Sequence, residues 1–123
     1  AHPERCQAFH RDPRMLAALV RDGVLTSITA GSLVGRFGNR VRRFALQLVQ
    51  DELVHNVSSD AHGHDRRRPG IAAELEQAGM GELCEWLTEA VPAAILSGGE
   101  IPPRPAGAPD RARWGPRAWR RGR

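Results

Sequence analysis

Lysine is absent from this 123-residue chain; all 18 of its basic residues are arginine. Cysteine is nearly absent: Cys6 and Cys84 are the two present, too few for a disulfide framework. No secretory-signal architecture is visible. No apolar run approaches the roughly 18 residues that would suggest a membrane span. The expectation from these absences is a soluble, cytoplasmic protein of a reducing compartment. The length fits at most one ordinary domain and falls short of the roughly 200 residues or more that a full (β/α)8 barrel takes.

The formal charge of +4 is unevenly spread. From Pro102 to Arg123 there are seven arginines (104, 111, 113, 117, 120, 121 and 123) against the single acid Asp110, a net +6. Residues 1–101 hold 11 arginines and 13 acids, a net −2. Five of the nine prolines also fall within residues 102–116. Proline, glycine and arginine at that density bury too little apolar surface to fold, so residues 102–123 read as a disordered tail on a body of ordinary composition.

Within the body, Pro3 pushes His2 towards an extended conformation, so His2 reads as the end of a strand. Asp12-Pro13 is a helix start, with Asp as the N-cap and Pro at the first helical position. Met15, Leu16, Leu19 and Val20 make an apolar stripe, and Gly23 ends the helix. Residues 24–29 read as a strand, followed by the turn-like Ala30-Gly31-Ser32. A second helix spans about Asn39 to Glu52, with Val41, Phe44, Ala45, Leu48 and Val49 facing a core. Residues 53–58 read as the next strand, and residues 71–79, 81–90 and 92–97 as three short helices, the last started by Pro92. Strands alternating with helices argue for parallel βαβ units. Two short strands and one strand end are too few to close such a sheet, so the chain reads as the C-terminal part of something larger.

In parallel α/β architectures, sites lie on the loops after the carboxyl ends of strands. One such loop here carries His2-Pro3-Glu4-Arg5. The other carries Asp60-Ala61-His62 and then Arg66-Arg67-Arg68. Imidazole with carboxylate suits Zn, Mn or Fe, and arginine offers a planar fork to phosphate oxygens. Together they suggest metal-assisted phosphate ester hydrolysis. Asp-x-His also occurs by chance, and an ordinary surface loop is the bland alternative.

Three stretches taken together, His2-Pro3-Glu4-Arg5, then Ile28-Thr29-Ala30-Gly31-Ser32-Leu33-Val34-Gly35-Arg36-Phe37-Gly38, then Leu53-Val54-His55 leading to Ser59-Asp60-Ala61-His62-Gly63, resemble the C-terminal half of the bacterial PHP-domain (polymerase and histidinol phosphatase) protein-tyrosine phosphatases of capsule and exopolysaccharide operons. The resemblance covers about residues 1–101, and three co-linear motifs are more specific than any one of them. It implies an α/β fold, the C-terminal part of a distorted (β/α)7-type PHP barrel that is incomplete in this chain. It implies metal ligation by His2, Asp60 and His62, and phosphate contacts from Arg5 and Arg67. It implies Mn2+ as the cofactor, with Zn2+ or Fe allowed by the ligand types. The implied substrate is a phosphotyrosine protein, a tyrosine kinase of polysaccharide export. Cys6 and Cys84 do not resemble the loop of a cysteine-dependent phosphatase.

The family also opens with a His-x-His metal motif and takes further ligands from the middle of the barrel. No His-x-His precedes His2; His62-Gly63-His64 is the one present. The chain by itself is therefore expected to be inactive. Glu4 reads either as a support for Arg5 or His2, or as a solvated carboxylate. His64 and Asp65 read as variable loop residues, His55 as a packed strand residue, Phe44 and Trp86 as core, and the Arg36, Arg40, Arg42, Arg43 cluster as a solvated helix face. Ser32 could cap a helix; as a nucleophile it has no visible base. Alternatives are another phosphoesterase of the PHP superfamily, or a non-catalytic remnant whose tail, with Trp114 and Trp119 among its arginines, binds anionic surfaces; no nucleic-acid motif accompanies it. On that last reading, deleting residues 102–123 abolishes any binding to anionic vesicles that weakens with salt, as measured by co-sedimentation at two ionic strengths.

Overall fold

The structure is a computed structural model that describes residues 2–63 and 70–106. It opens with a 3-10 turn at Pro3–Arg5, whose leading residue His2 donates its backbone N–H to Ser27 O at 2.9 Å. Helix α1 spans Gln7–Arg11 and α2 Pro13–Arg21. The α2 start is the one expected: Asp12 Oδ1 accepts from Arg14 N–H at 3.2 Å, and Pro13 holds the first helical position. The Arg14 guanidinium, 2.8 Å from the same carboxylate, holds the Asp12 carboxyl below its ordinary range. Gly23, at φ +93°, ends the helix; its N–H reaches Val20 O while Val24 N–H reaches Leu19 O, both at 3.0 Å. A left-handed conformation of this kind suits glycine, which has no Cβ to clash. Of the expected stripe, Leu16 alone is buried, while Met15 and Leu19 are exposed.

Strands β1 (Ser27–Thr29) and β2 (Asn56–Ser58) pair in parallel, with Ile28 opposite Val57. The parallel expectation holds, but both strands are shorter than 24–29 and 53–58. Thr26 explains the shortening. Its N–H donates to His55 Nδ1 at 3.0 Å and its hydroxyl to Leu53 O, while its carbonyl takes both His55 N–H and Asn56 N–H. Side chains thus occupy groups that a regular ladder would use.

Between the strands lie α3 (Ala30–Leu33), entirely buried, and α4 (Asn39–Gln50). The segment read as a turn after β1 is therefore a short helix. On α4, Phe44, Ala45, Leu48 and Val49 are buried as expected, joined by Leu46, and Arg40, Arg42 and Arg43 are exposed. After β2 come α5 (Ala72–Gln77) and a 3-10 turn at Gly81–Leu83. The helices expected over 81–90 and 92–97 run together: a π-helical turn at Trp86–Ala90 leads directly into α6 (Val91–Ser97). The cause is Pro92, which has no N–H and whose ring crowds the carbonyl one turn back. The ladder widens ahead of it, Val91 N–H reaching Trp86 O.

The core gathers Ile28, Leu33, Leu48, Leu75, Leu83, Leu87 and Val91, with α3 packed on α4 and α5 and the π turn packed on β2. The result is a helix-rich α/β arrangement around one short parallel pair. None of the helices among the described residues is long and apolar enough to cross a membrane. The first residues of the expected tail lie against this body: Pro102 O accepts from Trp86 Nε1 at 3.0 Å, and Arg104 Nη1 donates to Val49 O at 2.7 Å. Residues 107–123 lie outside the described residues.

Because His55 Nδ1 accepts a backbone N–H, protonating it breaks that bond, and burial pushes the His55 pKa below its ordinary value. A lowered folded pKa means that the unfolded chain binds the proton first as pH falls. Stability is thus fully present above the ordinary histidine value of about 6.5 and declines as pH drops below it. Urea titrations at pH 7.5 and 5.5 should show a drop in midpoint that shrinks in His55→Asn, whose Oδ1 can still accept from Thr26.

Candidate active site

Two backbone excursions build the site. His2 (φ 58°) and Asp60 (φ 50°) are both left-handed without being glycine, a conformation that costs about 1 kcal/mol or more and persists when surrounding contacts impose it. Asp60 follows β2 by two residues, and His2 reaches Thr29, the last residue of β1, with Nδ1 2.9 Å from Thr29 Oγ1. Both therefore stand at the carboxyl end of the parallel pair, where α/β folds place their ligands.

Asp60 is the centre. Its Oδ1 lies 3.9 Å from His2 Nε2 and 3.7 Å from His62 Nδ1, and its Oδ2 lies 3.5 Å from Arg5 Nη2. Asp60 is sheltered (side chain 16 % exposed), while His62 sits at the rim (64 %). His62 Nδ1 also approaches the Asp60 main-chain O at 2.7 Å. The structure thus brings together four of the five residues singled out in the sequence: His2, Arg5, Asp60 and His62. The fifth, Arg67, falls outside the described residues, as do His64, Asp65, Arg66 and Arg68.

The donors suit a borderline divalent metal: two imidazoles and a carboxylate. With the His2 proton on Nδ1, directed at the Thr29 hydroxyl, the Nε2 lone pair is left facing Asp60, the orientation in which a partner behind the ring fixes a metal-binding histidine. Among the described residues, however, no group of three or more His, Cys, Asp or Glu side chains could hold an ion unaided. By donor type alone, His2, Asp60 and His62 would suit a metal only with further donors beside them.

The His-Pro-Glu-Arg turn is held from within. Glu4 is not a solvated carboxylate: it is fully buried, and its Oε1 accepts from Thr29 N–H at 2.9 Å and Ser32 Oγ at 2.8 Å. Ser32 neither caps a helix nor stands ready as a nucleophile; its hydroxyl is spent on Glu4. His10 Nε2 lies 2.6 Å from Glu4 O, and its ring packs at a tilt of 40° against Phe44, with ring centroids 4.3 Å apart. The Arg5 guanidinium lies 4.7 Å over the Phe37 ring, a cation–π distance. Thr29 and Phe37 belong to a stretch that marks the family resemblance, yet reading the residues one by one gave them no role. The signal that could have found them is their sharing of one short segment with buried Ser32.

Comparison with known proteins places the chain in a family. Residues 1–82 match the family described as capsular polysaccharide synthesis, CpsB/CapC. The chain is 47 % identical over 62 residues to the tyrosine-protein phosphatase YwqE of Bacillus subtilis, covering 50 % of this chain and 24 % of that protein. It is 42 % identical over 67 residues to the putative tyrosine-protein phosphatase CapC of Staphylococcus aureus, covering 54 % and 26 %. In structure it resembles a chain from the crystal structures of YwqE from Bacillus subtilis and CpsB from Streptococcus pneumoniae, described as unique metal-dependent tyrosine phosphatases. There the TM-score is 0.70 at 35 % identity, over 89 % of this chain and 45 % of that one. The matched stretch spans about a quarter of the length of the two curated relatives. A family match over two thirds of its length, on the very segments that converge at Asp60, makes this chain a member of the CpsB/CapC family.

Proposed function

We propose that this chain supplies one side of the active site of a metal-dependent protein-tyrosine phosphatase, with residues 1–101 forming the C-terminal portion of a distorted (β/α)7-type PHP barrel. The observation that carries the reading is the convergence of His2, Arg5, Asp60 and His62 at the strand ends. The length of the relatives supports the barrel, because a two-stranded sheet needs further strands on its edges. His2, Asp60 and His62 would hold metal, Mn2+ by family likeness, together with donors from elsewhere in the barrel. Metal held there would supply an acidified water and would draw charge from the phosphoryl group.

The chain's own residues do the rest. Arg5 presents a fork to the equatorial phosphoryl oxygens, with Arg67 as its partner by resemblance. Charge spreads over those oxygens as the ester bond breaks, so the Arg5 guanidinium, joined by Arg67 on this reading, would stabilise that stage more than the ground state. Asp60 holds the Arg5 guanidinium at 3.5 Å on one side and His2 and His62 on the other. One carboxylate thereby couples the metal-binding and phosphate-binding halves. Tyrosinate is a good leaving group, so no covalent cysteine intermediate is required. The substrate would be a phosphotyrosine protein, a cytoplasmic tyrosine kinase domain of capsule or exopolysaccharide synthesis.

In the intact protein, Asp60→Ala is expected to lower kcat/KM on a phosphotyrosine peptide by about a hundredfold or more, on the scale of losing a pre-organised charge contact, and chelation of divalent metal to abolish turnover. Hydrolysis indifferent to both would contradict the reading. Arg5→Lys should lose nearly as much as Arg5→Ala, because a point charge does not replace a planar fork; initial rates over a range of peptide concentrations read this directly.

A further inference from the structure

The stretch from Thr29 to Gly38 contacts the His2–Arg5 turn at three places. Thr29, almost fully buried, sets its hydroxyl 2.9 Å from His2 Nδ1. Thr29 N–H and the Ser32 hydroxyl both end on Glu4 Oε1, in a pocket where Glu4 and Ser32 are fully buried. Phe37 lies under the Arg5 guanidinium. The chain can bring Phe37 back to the site because Gly35 (φ +90°) and Gly38 (φ +92°) flank it in conformations that other residues rarely adopt. The segment also closes on itself: Arg36 N–H bonds Gly31 O at 2.9 Å, and a Cβ on Gly31 would stand 2.9 Å from Arg36 Nη1.

The contacts at the two ends differ in chemistry. Thr29 Oγ1 lies 2.9 Å from the imidazole Nδ1; by accepting from Nδ1–H when Nε2 takes a metal, it would fix the tautomer and ring plane and present the Nε2 lone pair on the Asp60 side. The Phe37 ring takes one face of the guanidinium while Nη2 on its edge donates to Asp60 Oδ2 at 3.5 Å, so the fork is oriented from a face and an edge at once. The Glu4 joint between them keeps both contacts in register. We infer that the Thr29–Phe37 segment is the positioning element of the site, with Thr29 orienting His2 for metal and Phe37 orienting Arg5 for phosphate through separable contacts. This rests on the metal-phosphatase reading above.

The test uses the intact protein and two pairs of constants: Mn2+ affinity by titration calorimetry, and the inhibition constant of inorganic phosphate at saturating Mn2+, with thermal unfolding as the control on folding. Thr29→Val should weaken Mn2+ binding about 10- to 100-fold, the range for loss of a partner behind a ligand. Thr29→Ser, which keeps the hydroxyl, should restore most of it. Phe37→Leu should raise the phosphate inhibition constant about two- to fivefold, as removal of an exposed cation–π contact does, while moving Mn2+ affinity far less. A merely structural segment would shift both constants together in step with the unfolding temperature; that result, or failure of serine to rescue, overturns the inference. If the unmodified protein binds no Mn2+ and hydrolyses no phosphotyrosine peptide, the functional reading falls and the inference with it. If it does both and the variants do not separate, the inference alone falls.

Discussion

A carboxyl group buried with no exposure at all sits between the two segments on which the site depends. Glu4 Oε1 takes the backbone N–H of Thr29 and the hydroxyl of Ser32, and so ties the His-Pro-Glu-Arg turn to the carboxyl end of β1. Removing such a group from water costs several kcal/mol unless hydrogen bonds replace those lost. The chain meets that cost at Oε1, with donors from residues 25 and 28 positions away, while Oε2 is buried without a hydrogen-bond partner among the described residues. Once the turn is anchored, His2 has a fixed distance to Thr29 and Arg5 a fixed distance to Asp60 and Phe37. The left-handed backbone at His2 and Asp60 is tolerated for the same reason: contacts on both sides over-determine it.

From this joint the geometry runs outward in two directions. Towards the core, α3 is wholly buried and packs on α4 and α5, so the segment bearing Thr29 and Ser32 cannot drift without opening the hydrophobic cluster. Towards solvent, Asp60 and His62 lie on the loop after β2, whose register against β1 is fixed by Ile28 opposite Val57. A shift of one residue in that pairing would move the loop that carries Asp60 by about 3 Å along β1 relative to His2. Site and fold are thus coupled through a sheet only three residue pairs long.

Much of this was legible in the sequence, and the parts that were not have particular causes. The α2 start showed because Asp12 and Pro13 act within one turn, and the α4 core face because five apolar positions recur at helical spacing, all but the half-buried Val41 proving buried. His2, Arg5, Asp60 and His62 were legible as a set through order and residue type, which survive without knowledge of distance. The short strands were not, since they depend on Thr26 meeting His55 across 29 residues. The π turn was not, since Pro92 looked like the start of a helix and proved to be a disturbance inside one. The outward-facing Met15 and Leu19 show that an apolar stripe does not say how much of it is covered. Glu4 was left open between support and solvent because only its distant partners decide the matter.

The central claim is that His2, Asp60, His62 and Arg5 form one site for metal and phosphate. Anomalous diffraction at the manganese edge, from crystals of the intact protein grown with Mn2+ and inorganic phosphate, tests it most directly. The account predicts manganese peaks within bonding distance of His2 Nε2, the Asp60 carboxylate and His62, with phosphate oxygens against the Arg5 guanidinium. Manganese bound elsewhere, or phosphate bound away from Arg5, would contradict it.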